Sequence, residues 1–272
     1  MNRAFRYSGS KQHLVKYINS ILPENSNDYL YLECFLGSGT IFYNLNQKFK
    51  WSFLTDLDQN IINLHENFIN FNYSDYQHIL KEVETNFGDI KTSKEAYYLF
   101  RNNYNLDKGN FKNLKLLLLA NSCINSMLRF GPNGMNQSYG ARHFIIPEKS
   151  WNDIKQRLSK ATLKCRSYIN SFEMIKSNKD LKYFLFLDPP YADREMTYNK
   201  GFNRKTFITN LKELIHFNVK IVYSDIENLE SDELLNVGFT KVDSKMLRNT
   251  CPSSNKSFTK KEVLYIYQNH IK

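Results

Sequence analysis

Four short apolar or aromatic runs, each breaking off at a turn that carries an acid, restrict what this chain can fold into. Tyr29-Leu30-Tyr31-Leu32 passes into Glu33 and a glycine-containing turn, and Trp51-Ser52-Phe53-Leu54-Thr55 stops at Asp56. Tyr183-Phe184-Leu185-Phe186-Leu187 stops at Asp188, and Lys220-Ile221-Val222-Tyr223-Ser224 stops at Asp225. Runs this short and this apolar are expected of strands buried on both faces of a parallel sheet. Amphipathic stretches alternate with them. Leu14, Ile18, Ile21 and Leu22 share roughly one face of a helix over 12–22, and 61–71 and 207–217 behave similarly. Strand alternating with helix predicts a doubly wound, Rossmann-like α/β sheet. Residues 239–247 and 263–267 read as a terminal antiparallel pair.

The alternation stops between residues 70 and 147. Helical patterning over 76–87, 93–103 and 112–128 gives way to the turn-rich Arg129-Phe130-Gly131-Pro132-Asn133-Gly134. The expected organisation is a sheet domain made of 1–69 and 148–272, with 70–147 inserted as a helical subdomain. Composition excludes several classes. Of 272 residues, 20 are Phe and 18 Tyr, too much apolar surface for a disordered chain. No apolar run approaches the roughly 18 residues of a membrane span, and Met1-Asn2-Arg3-Ala4 is no secretory leader, so a soluble cytoplasmic protein is expected. Cys34, Cys123, Cys165 and Cys251 lie far apart without CxxC spacing, which argues against a disulfide framework and against a metal. Lys plus Arg number 37 against 27 acids, a net charge of +10 that favours a polyanionic partner, nucleic acid before membrane.

Ligands of open parallel sheets bind outside the carboxyl ends of the strands. Three turns there stand out. In Glu33-Cys34-Phe35-Leu36-Gly37-Ser38-Gly39-Thr40 the glycines permit a tight turn and close approach of a ligand, but neither GxGxxG nor a P-loop is present. The turn is either plain or a site. Asp56 is placed either to hold ribose hydroxyls or to cap a helix. Asp188-Pro189-Pro190-Tyr191 is more specific. Two prolines fix the backbone and remove two donors, leaving the Asp188 carboxylate and the Pro189 carbonyl as rigid acceptors beside an aromatic face. Such a cluster suits an amino group on a planar ring.

Phe5-Arg6-Tyr7-Ser8-Gly9-Ser10-Lys11, Glu33-Cys34-Phe35-Leu36-Gly37-Ser38-Gly39, Asp56 and Asp188-Pro189-Pro190-Tyr191 appear in the order seen in the DNA adenine methylase family, the alpha-group (D12 class) adenine-N6 methyltransferases of bacteria and phages. The chain resembles that family nearly end to end, through Lys261-Glu262-Val263-Leu264-Tyr265. The resemblance implies an S-adenosyl-L-methionine pocket built from Tyr7, Ser8, Gly9, Lys11, Glu33, Phe35, Gly37, Ser38, Gly39, Asp56 and Asp188. Tyr7 stands where the family often has Trp, and Ser10 where it usually has Gly or Asn. Phe172 either packs on the cofactor adenine or belongs to the core.

The same resemblance implies double-stranded DNA as partner and a target adenine flipped out of the stack. Asp188, Pro189, Pro190 and Tyr191 become catalytic. Asp188 and the Pro189 carbonyl accept the N6 hydrogens, so that the nitrogen lone pair can aim at the donor methyl. Arg129 aligns with an arginine that reads guanine, flanked by Asn125 and Met127, which makes 70–147 a target-recognition insertion. Tyr198 and Asn199 are placed to fill the gap left by the flipped base, and Arg248, Ser253, Ser254, Asn255 and Lys256 to meet phosphates. GATC is the leading target. Two other readings remain: a DNA-binding protein on the same scaffold without catalysis, and an amino-methyltransferase of RNA or of a protein amide.

Overall fold

The structure, a computed structural model, describes residues 2–141, 143–190, 202–243 and 262–268. In chain order, helix α1 (Val15–Ser20) precedes strands β1 (Tyr29–Glu33) and β2 (Trp51–Asp56). Helices α2 (Gln59–Asn70), α3 (Tyr73–Phe87), α4 (Lys94–Leu106) and α5 (Lys112–Ser122) follow, then the small hairpin of β3 (Phe130–Gly131) and β4 (Gly134–Met135). Next come α6 (Glu148–Leu158), β5 (Ala161–Cys165), α7 (Tyr168–Ser177) and β6 (Lys182–Leu187). The chain continues through α8 (Arg204–Glu213), β7 (Val219–Ile226), α9 (Leu229–Asp232), β8 (Thr240–Asp243) and β9 (Glu262–Gln268). No helix among the described residues is long and apolar enough to cross a membrane.

Two compact units emerge. One consists of Met1–Ile21, Gly37–Asn46 and Asp58–Cys165, the other of Leu22–Leu36, Gln47–Leu57 and Arg166–Lys272. The second unit carries strands in the order β2-β1-β6-β7-β9-β8. β2, β1, β6 and β7 run parallel, while β9 is antiparallel to both β7 and β8. Tyr183 to Leu187 of β6 are at most 1% exposed, as expected of a central strand covered on both faces. The direction of winding reverses between β1 and β6, which makes their carboxyl ends the switch point of a doubly wound sheet. The expected terminal pair is present as β8 and β9, with 244–247 outside the described residues.

The first unit is mainly helical, and its helices begin where short polar side chains satisfy the first free amides. Asp58 caps α2, Asn72 and Asp75 form a reciprocal capping box on α3, and Ser93 caps α4. Trp151 of α6 is fully buried against the Phe68 ring at 4.5 Å and the Tyr76 ring at 5.2 Å. One expected boundary is wrong. The helix read over 112–128 stops at Ser122, because Cys123 turns extended (φ −84°, ψ 159°) and bridges to Tyr139 in antiparallel fashion.

Candidate active site

Within the second unit, the carboxyl ends of three neighbouring parallel strands bring three acids into one row. Glu33 ends β1, in register with Leu54 of β2 and Phe186 of β6; two residues beyond those partners stand Asp56 and Asp188. Glu33 is 3% exposed and accepts a 2.7 Å hydrogen bond from the Tyr31 hydroxyl. Burial, reinforced by Glu33, holds the Tyr31 pKa well above the ordinary phenol value, so Tyr31 stays a donor. A carboxylate at that depth suits a cationic ligand. Asp56 is half-buried and its carbonyl accepts from the Arg166 amide at 3.0 Å. The cap of the next helix is Asp58, whose Oδ1 accepts from the Asn60 amide at 2.8 Å, so capping does not occupy Asp56.

Asp188 and Pro190 are half-buried and Pro189 is buried at the end of β6. Tyr191, Tyr198, Asn199, Arg248, Ser253, Ser254, Asn255 and Lys256 lie outside the described residues. Phe35, half-buried just past Glu33, meets the rings of Tyr168 (5.8 Å), Phe202 (6.0 Å) and Phe207 (5.8 Å). Phe172 lies on helix α7, 1% exposed, packed against Tyr168 at 5.2 Å and Phe207 at 6.0 Å. Tyr168, Phe202 and Phe35 form the accessible side of this aromatic cluster, and nothing in their spacing marked Tyr168 or Phe202 beforehand. Burial pushes the Cys34 thiol up to about 12, which disfavours its thiolate at neutral pH.

The first unit holds the glycine turn and the N-terminal segment together. Gly37 and Gly39 adopt positive φ, +48° and +64°. A Cβ on Gly37 would lie 3.1 Å from the Tyr7 ring, and one on Gly39 would lie 2.6 Å from the Tyr43 ring. Conformation disfavours a side chain at both positions, and at Gly39 space does as well. Ser10, Thr40 and Ser38 join in a chain of hydroxyls, 2.8 and 2.7 Å apart. Ser10 thus ties the N-terminal segment to the turn. Ser8 and Gly9 are exposed, and buried Lys11 donates from Nζ to the Gly9 carbonyl at 3.1 Å.

His65, which sequence reasoning missed, braces the same turn. Its Nε2 meets the Gly37 carbonyl at 2.8 Å, and its Nδ1 meets the Tyr43 hydroxyl at 2.7 Å. A carbonyl can only accept, so the ring is the Nε2–H tautomer and Nδ1 accepts from Tyr43. Full burial lowers the His65 pKa to about 4. Because the unfolded chain binds this proton first as pH falls, the contribution is whole above about 6.5 and is lost progressively down to about 4. The unfolding free energy from urea titrations should fall across that window, by up to about 3 kcal/mol from His65. His65→Phe should flatten the decline; an unchanged slope would contradict the assignment.

Asn125 and Arg129 are exposed and Met127 is half-buried, all within the stretch between α5 and the β3–β4 hairpin. No group of three His, Cys, Asp or Glu side chains that could hold a metal occurs among the described residues.

A strand order with its switch point between β1 and β6, and acids on the ends of those strands, define a doubly wound α/β fold whose candidate site lies at that switch point. The profile of the D12 class N6 adenine-specific DNA methyltransferase matches residues 7–225, and the chain belongs to that family. It is 28% identical over 202 residues to the DNA adenine methylase of Serratia marcescens, covering 73% of this chain and 70% of that one. The DNA adenine methylase of Escherichia coli K12 is likewise 28% identical, covering 73% of this chain and 68% of its own. The type II methyltransferase M.MjaIII of Methanocaldococcus jannaschii is 24% identical over 209 residues, covering 71% and 70%. The chain is therefore a methyltransferase, and its methyl donor is S-adenosylmethionine. The residues fit that group: the buried carboxylate of Glu33 suits its cationic amino acid end.

Proposed function

We propose that this chain is a site-specific DNA methyltransferase that places a methyl group on N6 of an adenine flipped out of duplex DNA, with GATC as the first sequence to test. The observation that carries the reading is the acid row at the switch point, with Asp188 followed by two prolines, in a chain of the D12 family. S-adenosylmethionine supplies an electrophilic methyl on a sulfonium. We assign its amino acid end to Glu33 and its ribose to Asp56. Tyr7, Ser8, Gly9, Lys11, Gly37, Ser38, Gly39 and Asp188 complete the cofactor pocket, with Phe35 and Phe172 on the side of its adenine.

The chemical difficulty is the N6 lone pair, which is delocalised into the ring. The Asp188 carboxylate and the Pro189 carbonyl accept the two N6 hydrogens, which draws the nitrogen toward tetrahedral geometry and frees the lone pair. Pro190 fixes the direction of the turn, and Tyr191 stacks on the base. Positioning and charge stabilisation of this kind lower a barrier by several kcal/mol. Taking the base out of the stack is required because N6 lies inside the duplex. Residues 70–147 serve target recognition, with Arg129 on guanine and Asn125 and Met127 beside it. Tyr198 and Asn199 fill the vacated position, and Arg248, Ser254, Asn255 and Lys256 meet phosphates. The net charge of +10 supports a polyanionic substrate.

The test is to incubate the purified chain with labelled S-adenosylmethionine and adenine-containing duplexes, GATC among them, beside RNA and a glutamine peptide. Label on N6 of duplex adenine is the expected result. Label absent from every duplex removes the reading, and a preference for RNA or peptide replaces its substrate.

A further inference from the structure

Between α5 and the β3–β4 hairpin the chain makes a turn that its sequence does not favour. Asn125 (φ 55°, ψ 8°) and Ser126 (φ 51°) are the two non-glycine residues with positive φ among the described residues, and they are consecutive. The Met127 amide donates back to the Ile124 carbonyl at 3.4 Å, closing a four-residue turn with left-handed conformation at both central positions. In turns of this kind asparagine is common at the first central position and glycine at the second. Here the second is Ser126, 5% exposed, so the surroundings must impose the conformation.

The surroundings act mainly through residue 137. The Gln137 side chain donates from Nε2 to the Ile124 carbonyl at 3.1 Å, while the Ile124 amide donates to the Ser138 carbonyl at 2.9 Å. The residue that opens the turn is thus gripped at both its backbone groups. Gln137 is 8% exposed and is itself anchored: its carbonyl accepts from the Tyr97 hydroxyl and from Arg101 Nη1, each at 3.0 Å, both on helix α4. Gly140 lets the strap approach, since a Cβ there would lie 2.6 Å from the Cys123 backbone. On the other side, Asn105 brackets Met135 with paired bonds of 2.8 and 2.9 Å, fixing the hairpin that follows Arg129.

We propose that Gln137 is a positioning residue for target recognition: it transmits the rigidity of α4 to the turn that presents Asn125 and Arg129, and so sets sequence discrimination. The inference rests on the reading of this chain as a DNA methyltransferase. Gln137 touches neither DNA nor cofactor in this role. Its amide donor is the feature required, and an apolar side chain of similar volume should leave the turn free to relax.

The experiment compares the wild type, Gln137→Met, Ser126→Gly and the double variant on a pool of duplexes randomised around a central adenine, mapping N6-methyladenine by sequencing. The wild type is expected to define a preferred sequence. Gln137→Met is expected to lower its preference over single-mismatch sites by about tenfold, the order expected when one specific base contact is loosened. Affinity for S-adenosylmethionine, read by calorimetry, should stay at the wild-type value. Ser126→Gly should restore discrimination in the double variant, because glycine holds the left-handed conformation without help. Gln137→Asn, which keeps the amide but withdraws it by one methylene, carries the same test should Gln137→Met fail to fold. Discrimination unchanged in both variants overturns the proposal, as does an equal loss of cofactor affinity and of rate on every sequence. A wild type that methylates no duplex at all would instead remove the underlying reading.

Discussion

Asp188→Ala is expected to reduce methyl transfer to duplex adenine by about two to three orders of magnitude, the usual cost of removing one preorganised polar partner of a reacting group. The variant should melt within a few degrees of the wild type, since Asp188 is half-buried at a strand end and not part of the apolar core. Asp188→Asn separates the two things the carboxylate does. It keeps the shape and one acceptor oxygen but loses the charge, so it should retain more activity than alanine and less than the wild type. Initial rates with saturating donor, beside melting curves, decide the matter. Turnover within a few-fold of the wild type in Asp188→Ala would take the chemistry away from this strand end.

The second large effect concerns stability. Asp225, the second-last residue of β7, is 1% exposed and surrounded by donors: the Tyr223 hydroxyl, Ser231 Oγ at 2.6 Å, Asn228 Nδ2 at 2.9 Å and the Ile226 amide at 2.7 Å. Arg204 completes the set, its Nε 3.3 Å from Asp225 Oδ2. Arg204 opens helix α8 and is itself only 9% exposed. Asp225→Ala leaves that guanidinium buried without its counter-charge, a change that costs about 3–5 kcal/mol in comparable buried pairs. Asp225→Ala combined with Arg204→Met should recover part of the loss, because no uncompensated charge remains. Urea unfolding of the two variants measures both effects. A single-variant loss below about 1 kcal/mol would mean that water reaches the pair and relieves it.

These two acids show where sequence is informative and where it stops. Asp188 was legible because everything that defines it is local: a fully apolar strand before it, two prolines and an aromatic after it. Asp225 was equally visible beside a strand end, one residue before β7 in fact stops at Ile226, yet its environment was not, since Arg204 and Ser231 reach it from separate helices. Glu33 and Asp56 came forward for the same reason as Asp188, and Asp58 settled the competing cap. His65 stayed hidden because its partner, the Gly37 carbonyl, is 28 residues away and is a backbone group that no pattern of side chains announces. The false extension of α5 to residue 128 has a similar origin. Local periodicity continues past Ser122, and the helix ends where Cys123 turns extended and makes an isolated antiparallel bridge to Tyr139. Periodicity and turn residues thus gave the sheet and its ends, whereas bonds between distant segments gave the braces.

If the proposed function holds, the row formed by Asp56, Glu33 and Asp188 also selects which part of a nucleic acid comes near it. A phosphodiester carries its charge wherever it goes, and carboxylates gathered at strand ends disfavour its close approach even in a protein of net charge +10. A nucleobase is neutral and meets no such resistance. On the proposed reading, those strand ends would filter by sign, turning the backbone of a strand aside while admitting the base that hangs from it.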